Sequence, residues 1–311
     1  MTSDHCNVAV VVPLFNKENI VSSCIESVAR QTVLPSLLVV VDDGSTDSSF
    51  KVAEEALRAY PGPHLLIEQH NAGVSVARNK GVEVARTEYV CLLDADDVWD
   101  VDFVERMVGL IADFPKADLY CLGHRVFSPD VGLFVPRHGF PSGFRGYLSD
   151  FFASSAIGSV ANSSKVAIRA TALLAVGGFP RGAKVGEDLY VWMMLALQGR
   201  VACESYIAVT VNQLEDNSRR SRRGNIPYPI EFFGRIENRC SLTPSAKKYL
   251  YRMYLLHLAE YVRLRDYRGV YSLMRQAFFL SPFGVIVSAL IMLLPSSVLS
   301  QVRLVRRRLR K

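Results

Sequence analysis

Residues 8–47, "VAVVVPLFNKENIVSSCIESVARQTVLPSLLVVVDDGSTD", decide the fold of this 311-residue chain. Val8–Leu14 is an unbroken, largely β-branched run, the pattern of a strand buried on both faces. Ile20, Val21, Cys24, Ile25 and Val28 then recur at helical spacing. "SLLVVV" (36–41) is a second strand, and it stops abruptly in the polar turn "DDGSTD". Outward from there the sequence predicts a helix in "SSFKVAEEALRAY", a strand in "HLLIEQ", a helix in "GVSVARNKGVEVAR" and a strand in "EYVCLLD". Strands and helices alternating over short connections imply a parallel sheet flanked by helices. Ligands of such sheets gather beyond the carboxyl ends of the strands. Asn16, Glu18, Asp42, Asp43, Asn71, Asp94 and Asp96 all fall at those ends.

The carboxylates crowd most closely in "CLLDADDVWD", residues 91–100, with Asp94, Asp96, Asp97 and Asp100 at the end of a buried strand. Like charges so placed repel and raise one another's pKa, so a compensating cation is expected, a metal ion first. A second acidic pair, Glu187–Asp188, opens the predicted helix "EDLYVWMMLALQG". Acids favour a helix N-terminus through its dipole whether or not they do chemistry. Trp192, one turn further on, suits either a sugar-stacking platform or the core.

Past Asp100 the pattern loosens. A helix in "VDFVERMVGLIADFP" precedes a mixed region, 119–160, rich in Gly, Pro and aromatics. A short strand, two helices and the strand-like "RVACESYIAVTVNQ" follow, and residues 228–276 read as helices. The net charge of +6 is matched by the last nine residues alone, "RLVRRRLRK", leaving residues 1–302 neutral overall. A basic tail of that kind argues against general nucleic-acid binding. The six cysteines show no C-x-x-C pair and suit buried free thiols in a reducing compartment. The N-terminus has no basic region of the kind a signal peptide carries.

Taken in order, "VVPLFNKE", "VVDDGSTDSS", "NAGVSVARNKGVEVA", "YVCLLDADD", "VGGF" and "GEDLYVWMMLALQGR" resemble the family 2 glycosyltransferases over roughly residues 7–225. The resemblance implies an α/β GT-A (nucleotide-diphospho-sugar transferase) fold with a mostly parallel sheet flanked by helices. It also implies inverting transfer of one sugar from a nucleotide diphosphate, most simply a UDP-sugar, to a hydroxyl, with Mn²⁺ or Mg²⁺. Asp94-Ala95-Asp96 resembles the family's D-x-D loop, with Asp96 on the metal and Asp94 on its shell or the ribose. Hard cations suit carboxylate and diphosphate oxygens. By the same resemblance Asp43 reads the base, Pro13, Asn16 and Glu18 lie near it, and Asn71, Gly73, Arg78 and Asn79 lie near the donor. An ion pair holding two loops is the other reading of Arg78. Asp188 would be the general base and Glu187 its support.

Two departures are visible. No histidine follows the strand after the Glu-Asp helix, leaving water, Asn212, Asp216 or Asn217 as a further metal ligand. That loop carries Arg219, Arg220, Arg222 and Arg223 instead, a cluster suited either to a diphosphate or to an exposed turn. There is also no Q-x-x-R-W sequence, the mark of processive synthases, which favours single-sugar addition. Other classes fit less well. "DADDV" matches the nucleophile loop of haloacid-dehalogenase-like phosphatases, but three strand–helix units precede it. No G-x-G-x-x-G follows the first strand, as a dinucleotide enzyme requires. A catalytically inactive sugar-binding protein would not need both carboxylate pairs.

The expected organisation is a catalytic domain over 1–225, a helical extension over 226–276 and a membrane-associating segment over 277–311. Residues 277–300 carry no charge, and Pro282 and Pro295 interrupt them. Between those prolines lie too few residues to span a bilayer, so the pattern suggests a segment lying in the membrane with the basic tail on anionic lipid, a helix docked on the catalytic domain and a single spanning helix being the other readings. The expected setting is the cytoplasmic face of the membrane, peripheral or monotopic. The expected acceptor is a glycan or a lipid-linked hydroxyl of cell-surface polysaccharide biosynthesis.

Overall fold

The computed structural model describes residues 7–213, 225–238 and 241–280. Its first half follows the alternation: β1 (Val8–Leu14), α1 (Val21–Ala29), β2 (Leu37–Asp42), α2 (Ser49–Arg58), β3 (His64–Glu68), α3 (Val74–Ala85) and β4 (Tyr89–Leu92). There follow β5 (Val98–Trp99), α4 (Phe103–Asp113), β6 (Leu119–Ser128), β7 (Gly132–Phe134), β8 (Arg145–Tyr147) and α5 (Phe151–Ile157). The chain continues through β9 (Val166–Arg169), α6 (Ala170–Ala175), α7 (Glu187–Gln198) and β10 (Val201–Asn212). Three C-terminal helices, α8 (Tyr228–Gly234), α9 (Pro244–Leu264) and α10 (Tyr267–Leu280), complete the described chain.

The described strands form one sheet in the order β3-β2-β1-β4-β9-β6-β10-β5, with β7 joined to β6 and β8 to β10. β3, β2, β1 and β4 run parallel, as βαβ crossovers dictate. Beyond β4 the sheet is mixed: β9 inserts antiparallel between β4 and β6, and β6 is parallel to β10. The longest strand in the mixed region 119–160, β6, was not visible as a strand in the sequence. Gly123, His124 and Arg125 interrupt its apolar run, and only its neighbours on both edges make those residues extended.

Side-chain alternation along the central strands divides the core into two layers. Val8, Val10, Val12 and Leu14 of β1 pack with α1, α2 and α4, whereas Ala9 and Val11 face the layer built by α3, α6 and α7. Helix α3 lies unusually close to the sheet: a methyl group on Gly81 would stand 2.3 Å from Val11 Cγ1. Leu250, Tyr254 and Leu258 of α9 and Leu273 of α10 are fully buried in the same layer as Val191 and Leu195 of α7. The helices of the expected extension thus pack into the same core layer as α7. Residues 281–311, most of the expected membrane segment, lie outside the described residues, and α10 runs four residues into it. No described helix is long and apolar enough to cross a membrane.

Candidate active site

The acidic loop leaves β4 at Leu93, whose N–H still donates to Val11 O at 3.1 Å. It turns sharply, with Asp97 N–H donating to Asp94 O at 2.9 Å. Asp97 is buried and serves as the loop's internal tie. Its carboxylate accepts from Ser164 Oγ at 2.5 Å and from Asn212 N–H at 2.8 Å. Burial and the charges of Asp94 and Asp96 push its pKa well above the carboxylate range. Ser164 Oγ also accepts from Asp94 N–H at 3.1 Å, and Asn212 Nδ2 donates to Asp96 O at 2.6 Å. The ends of β9 and β10 therefore fix the loop's backbone, leaving the Asp94 and Asp96 carboxylates for partners outside the loop. Ser164 carried no sequence signal, because its role depends on β9 lying beside β4.

Cationic side chains already meet those two carboxylates. Lys17 Nζ lies 2.9 Å from Asp96 Oδ2, and Arg78 Nη2 lies 2.8 Å from Asp94 Oδ1. Arg78 is buried, and its other amino group lies 3.0 Å from Glu187 Oε1 at the start of α7. Burial works against its charge, but Asp94, Glu187 and Asp188 more than offset that and raise its pKa. The guanidinium also lies over the Phe179 ring at 5.4 Å. Asn79 holds Phe179 in place by bonding both its N–H (2.8 Å) and its carbonyl (2.7 Å). Arg78 and Asn79 are thus seen as struts between α3, the acidic loop and α7.

Asp188, half-buried in the first turn of α7, accepts from Leu189 N–H at 2.7 Å. Loss of hydration and the Glu187 carboxylate push its pKa up to about 6, Arg78 working the other way. Its charge in turn adds to the burial that pushes Tyr249, on α9, up to about 12. Tyr249 is a neighbour of the site that only the packing of α9 reveals. Trp192 is 1% exposed and edge-on to Phe179, a core residue and not a sugar platform.

At the other carboxyl ends the polar residues organise loops. Gly44, at φ +71°, brings the "DDGSTD" turn against Asn71, and a Cβ there would meet Asn71 N at 2.8 Å. Asp43 is buried and accepts from Gln69 Nε2 (2.7 Å), Ala72 N–H (2.9 Å) and Gly73 N–H (2.8 Å). Three acceptor positions of its carboxylate are thereby used, and a fourth is left by its lone-pair geometry. Asn16 Oδ1 accepts from Thr46 N–H at 2.8 Å and Glu18 Oε2 from Ser48 N–H at 2.9 Å, so both brace that turn. Pro13 pairs in register with Val41, and Asn71 and Gly73 are exposed on the rim. Arg219, Arg220, Arg222 and Arg223, with Asp216 and Asn217, lie outside the described residues.

The donor set suits a hard cation. No group of three or more His, Cys, Asp or Glu side chains converges among the described residues. Mg²⁺ and Mn²⁺ do not need one, because they commonly take one or two carboxylates and complete their shell with water and phosphate oxygens. Asp94 and Asp96 provide that pair, and Lys17 shows the field to be strong enough to hold positive charge.

The sequence profile of Glycosyl transferase family 2 matches residues 9–173, more than half of the chain. The chain belongs to that family. The match ends before Glu187 and Asp188, so it covers Asp43, Arg78, Asp94 and Asp96 but not the acidic pair of α7. A relative, Glycosyltransferase GlyA of Streptococcus pneumoniae, is 36% identical over 127 residues, 41% of this chain and 18% of its own length. Among solved structures, S. aureus TarS in complex with UDP-GlcNAc superposes with a TM-score of 0.61 at 20% identity, over 89% of this chain and 72% of that one. The mannosyltransferase PcManGT of Pyrobaculum calidifontis, in complex with GDP-Man and Mn²⁺, gives 0.57 at 19% identity, over 97% and 80%. At such identities the likeness shows the fold, which is GT-A.

Proposed function

We propose that this family 2 glycosyltransferase moves a single sugar, with inversion, from a nucleotide diphosphate to a hydroxyl of a glycan or lipid-linked acceptor. The observation that carries the reading is Arg78, whose two amino groups bind Asp94 and Glu187 at once. One buried cation thereby sets the donor-side carboxylates and the acceptor-side carboxylates against each other across one cleft. Pro13, Asp43, Asn71 and Gly73 frame the nucleotide, with Asn16 and Glu18 bracing the turn beneath it. UDP is the simplest donor nucleotide, since Asp43 keeps an acceptor position suited to the N3–H of uracil.

Asp94 and Asp96 would hold Mn²⁺ or Mg²⁺, which when bound neutralises charge developing on the diphosphate. Lys17 and the arginines at 219, 220 and 222 add further positive charge on the leaving-group side. Asp188 takes the acceptor hydroxyl's proton as that oxygen attacks C1, and the C1–O bond to the diphosphate breaks with its electron pair leaving on the nucleotide. A base with pKa near 6 suffices, because the hydroxyl acidifies only as the new bond forms. Glu187, held by Arg78, positions that base. The uncharged stretch 277–300 and the basic tail support association with the cytoplasmic face of a membrane, where a polysaccharide precursor on a lipid carrier would be met.

Nucleoside-diphosphate release from a panel of nucleotide sugars, with and without Mn²⁺, tests the reading. Asp96→Asn removes the charge and keeps the size, so it should abolish release with an unchanged melting temperature. Full activity of that variant in chelator would refute the metal role.

A further inference from the structure

Lys17 reaches the acidic loop from 79 residues away in sequence, and its backbone is firmly held. β1 ends at Leu14, and Asn16 then adopts the left-handed conformation, φ +51°, which asparagine tolerates better than most residues. The "DDGSTD" turn secures that kink, Asn16 N–H donating to Ser45 Oγ at 3.0 Å. Lys17 N–H donates to Ser49 Oγ at 2.6 Å, and Lys17 O accepts from Ile20 N–H and Val21 N–H, both at 3.0 Å. Asp96 is anchored in turn through its carbonyl by Asn212. The 2.9 Å ion pair of Lys17 with Asp96 therefore joins two fixed backbones, and its side chains are only 19% and 15% exposed.

The two cations at the acidic loop differ in freedom. Arg78 is buried, shared between Asp94 and Glu187 and laid over Phe179, so its guanidinium is a fixed part of the site. Lys17 carries a compact charge on a flexible four-carbon stem, so its ammonium is able to swing while its backbone stays in place. A divalent ion on Asp96 would set a second positive charge close to that ammonium, and like charges at such range repel. The ammonium would then turn to another anion. A diphosphate suits it, since lysine binds phosphate oxygens as a point charge. The segment after β1 and the acidic loop after β4 leave the same end of two adjacent parallel strands, so one diphosphate lying there comes within reach of both.

We propose that Lys17 competes with the divalent cation for Asp96 and thereby couples binding of that ion to binding of the nucleotide diphosphate. Ion and donor then assist each other: the diphosphate accepts the displaced ammonium, and the displaced ammonium leaves Asp96 to the ion. After transfer, the return of Lys17 to Asp96 favours departure of ion and nucleotide together. The inference rests on the reading of Asp94 and Asp96 as metal ligands and adds to it an order of binding set by Lys17.

Mn²⁺ binding to the full chain, read from loss of the free-ion electron paramagnetic resonance signal, provides the test without turnover. Lys17→Met keeps an unbranched side chain and removes its charge. Without nucleotide, K17M should bind Mn²⁺ on the order of tenfold more tightly than the native chain. With Mg²⁺ present, K17M should bind UDP on the order of tenfold more weakly by calorimetry. The opposite signs separate this role from a structural one, since a disordered loop would weaken both. Equal Mn²⁺ affinity in K17M and the native chain, lost in Asp96→Asn, would overturn the competition and leave the metal reading standing. Tighter Mn²⁺ binding that survives addition of Asp96→Asn to K17M would place the ion elsewhere and overturn the inference. UDP affinity unchanged in K17M would overturn the transfer of Lys17 to the diphosphate. No saturable Mn²⁺ binding by any of these chains, with or without UDP, would overturn both this inference and the metal reading.

Discussion

Asp188 and Arg78 show what single residues contribute. A carboxylate ordinarily titrates near 4. Asp188 is pushed up to about 6 by lost hydration and by Glu187, so it is still partly protonated in mildly acid solution. As general base it must be ionised. kcat/KM should therefore fall below about pH 6 with unit slope, and Asp188→Asn should remove that limb while lowering kcat by about 10²–10⁴, or roughly 3–5 kcal/mol of barrier. A profile flat to pH 5 would take the base role from Asp188. The same shift has a sign for stability. The folded state binds more protons than the unfolded one between about pH 4 and 6, so Asp188's contribution to stability declines as pH rises through that window. Arg78 shows the other side of such coupling, since Asp94 and Glu187 raise its pKa and hold it charged in spite of its burial.

At the scale of elements, α3 is placed by a missing side chain. Gly81 lets the helix close on β1, so that Arg78, one turn earlier, reaches Asp94 and Glu187 together. Replacing a helical glycine by alanine ordinarily gains up to about 1 kcal/mol. Here the added methyl would lie 2.3 Å from Val11 Cγ1, on a stiff β-branched side chain inside a central strand. Overpacking typically costs about 1–3 kcal/mol, so the clash outweighs the propensity. Gly81→Ala should lower the urea midpoint and depress activity with it, through displacement of Arg78. Unchanged or raised stability would mean that α3 can move away at little cost.

Across the whole molecule the C-terminal helices share one core layer with α7. Leu250, Tyr254 and Leu258 are each fully buried against the layer containing α7. At about 1.5–3 kcal/mol per large side chain, their loss rivals the 5–15 kcal/mol by which domains are stable. A chain ending at Ser241 should fail to unfold cooperatively in urea. One ending at Leu280 should remain folded, retain slow donor hydrolysis and bind vesicles more weakly. A well-folded, active product of the shorter truncation would show that α9 is an accessory.

The sequence by itself determined the parallel half of the sheet and the places where acids gather. A buried strand writes itself as a β-branched run, a helix as a 3.6-residue period, and a turn as Asp-Asp-Gly, all local patterns. Asp94, Asp96, Glu187 and Asp188 were legible for the same reason, standing where periodic segments end. Tertiary structure decided the rest. β6 is a strand because β10, β9 and β7 pair with it in spite of Gly123 and Arg125. β9 is antiparallel because it returns between β4 and β6, and Ser164 matters only because of that return. Arg78 meets a partner 16 residues away and another 109 residues away, and no periodicity encodes an ion pair across that distance. Such contacts depend on how layers pack, and packing is a property of the whole chain.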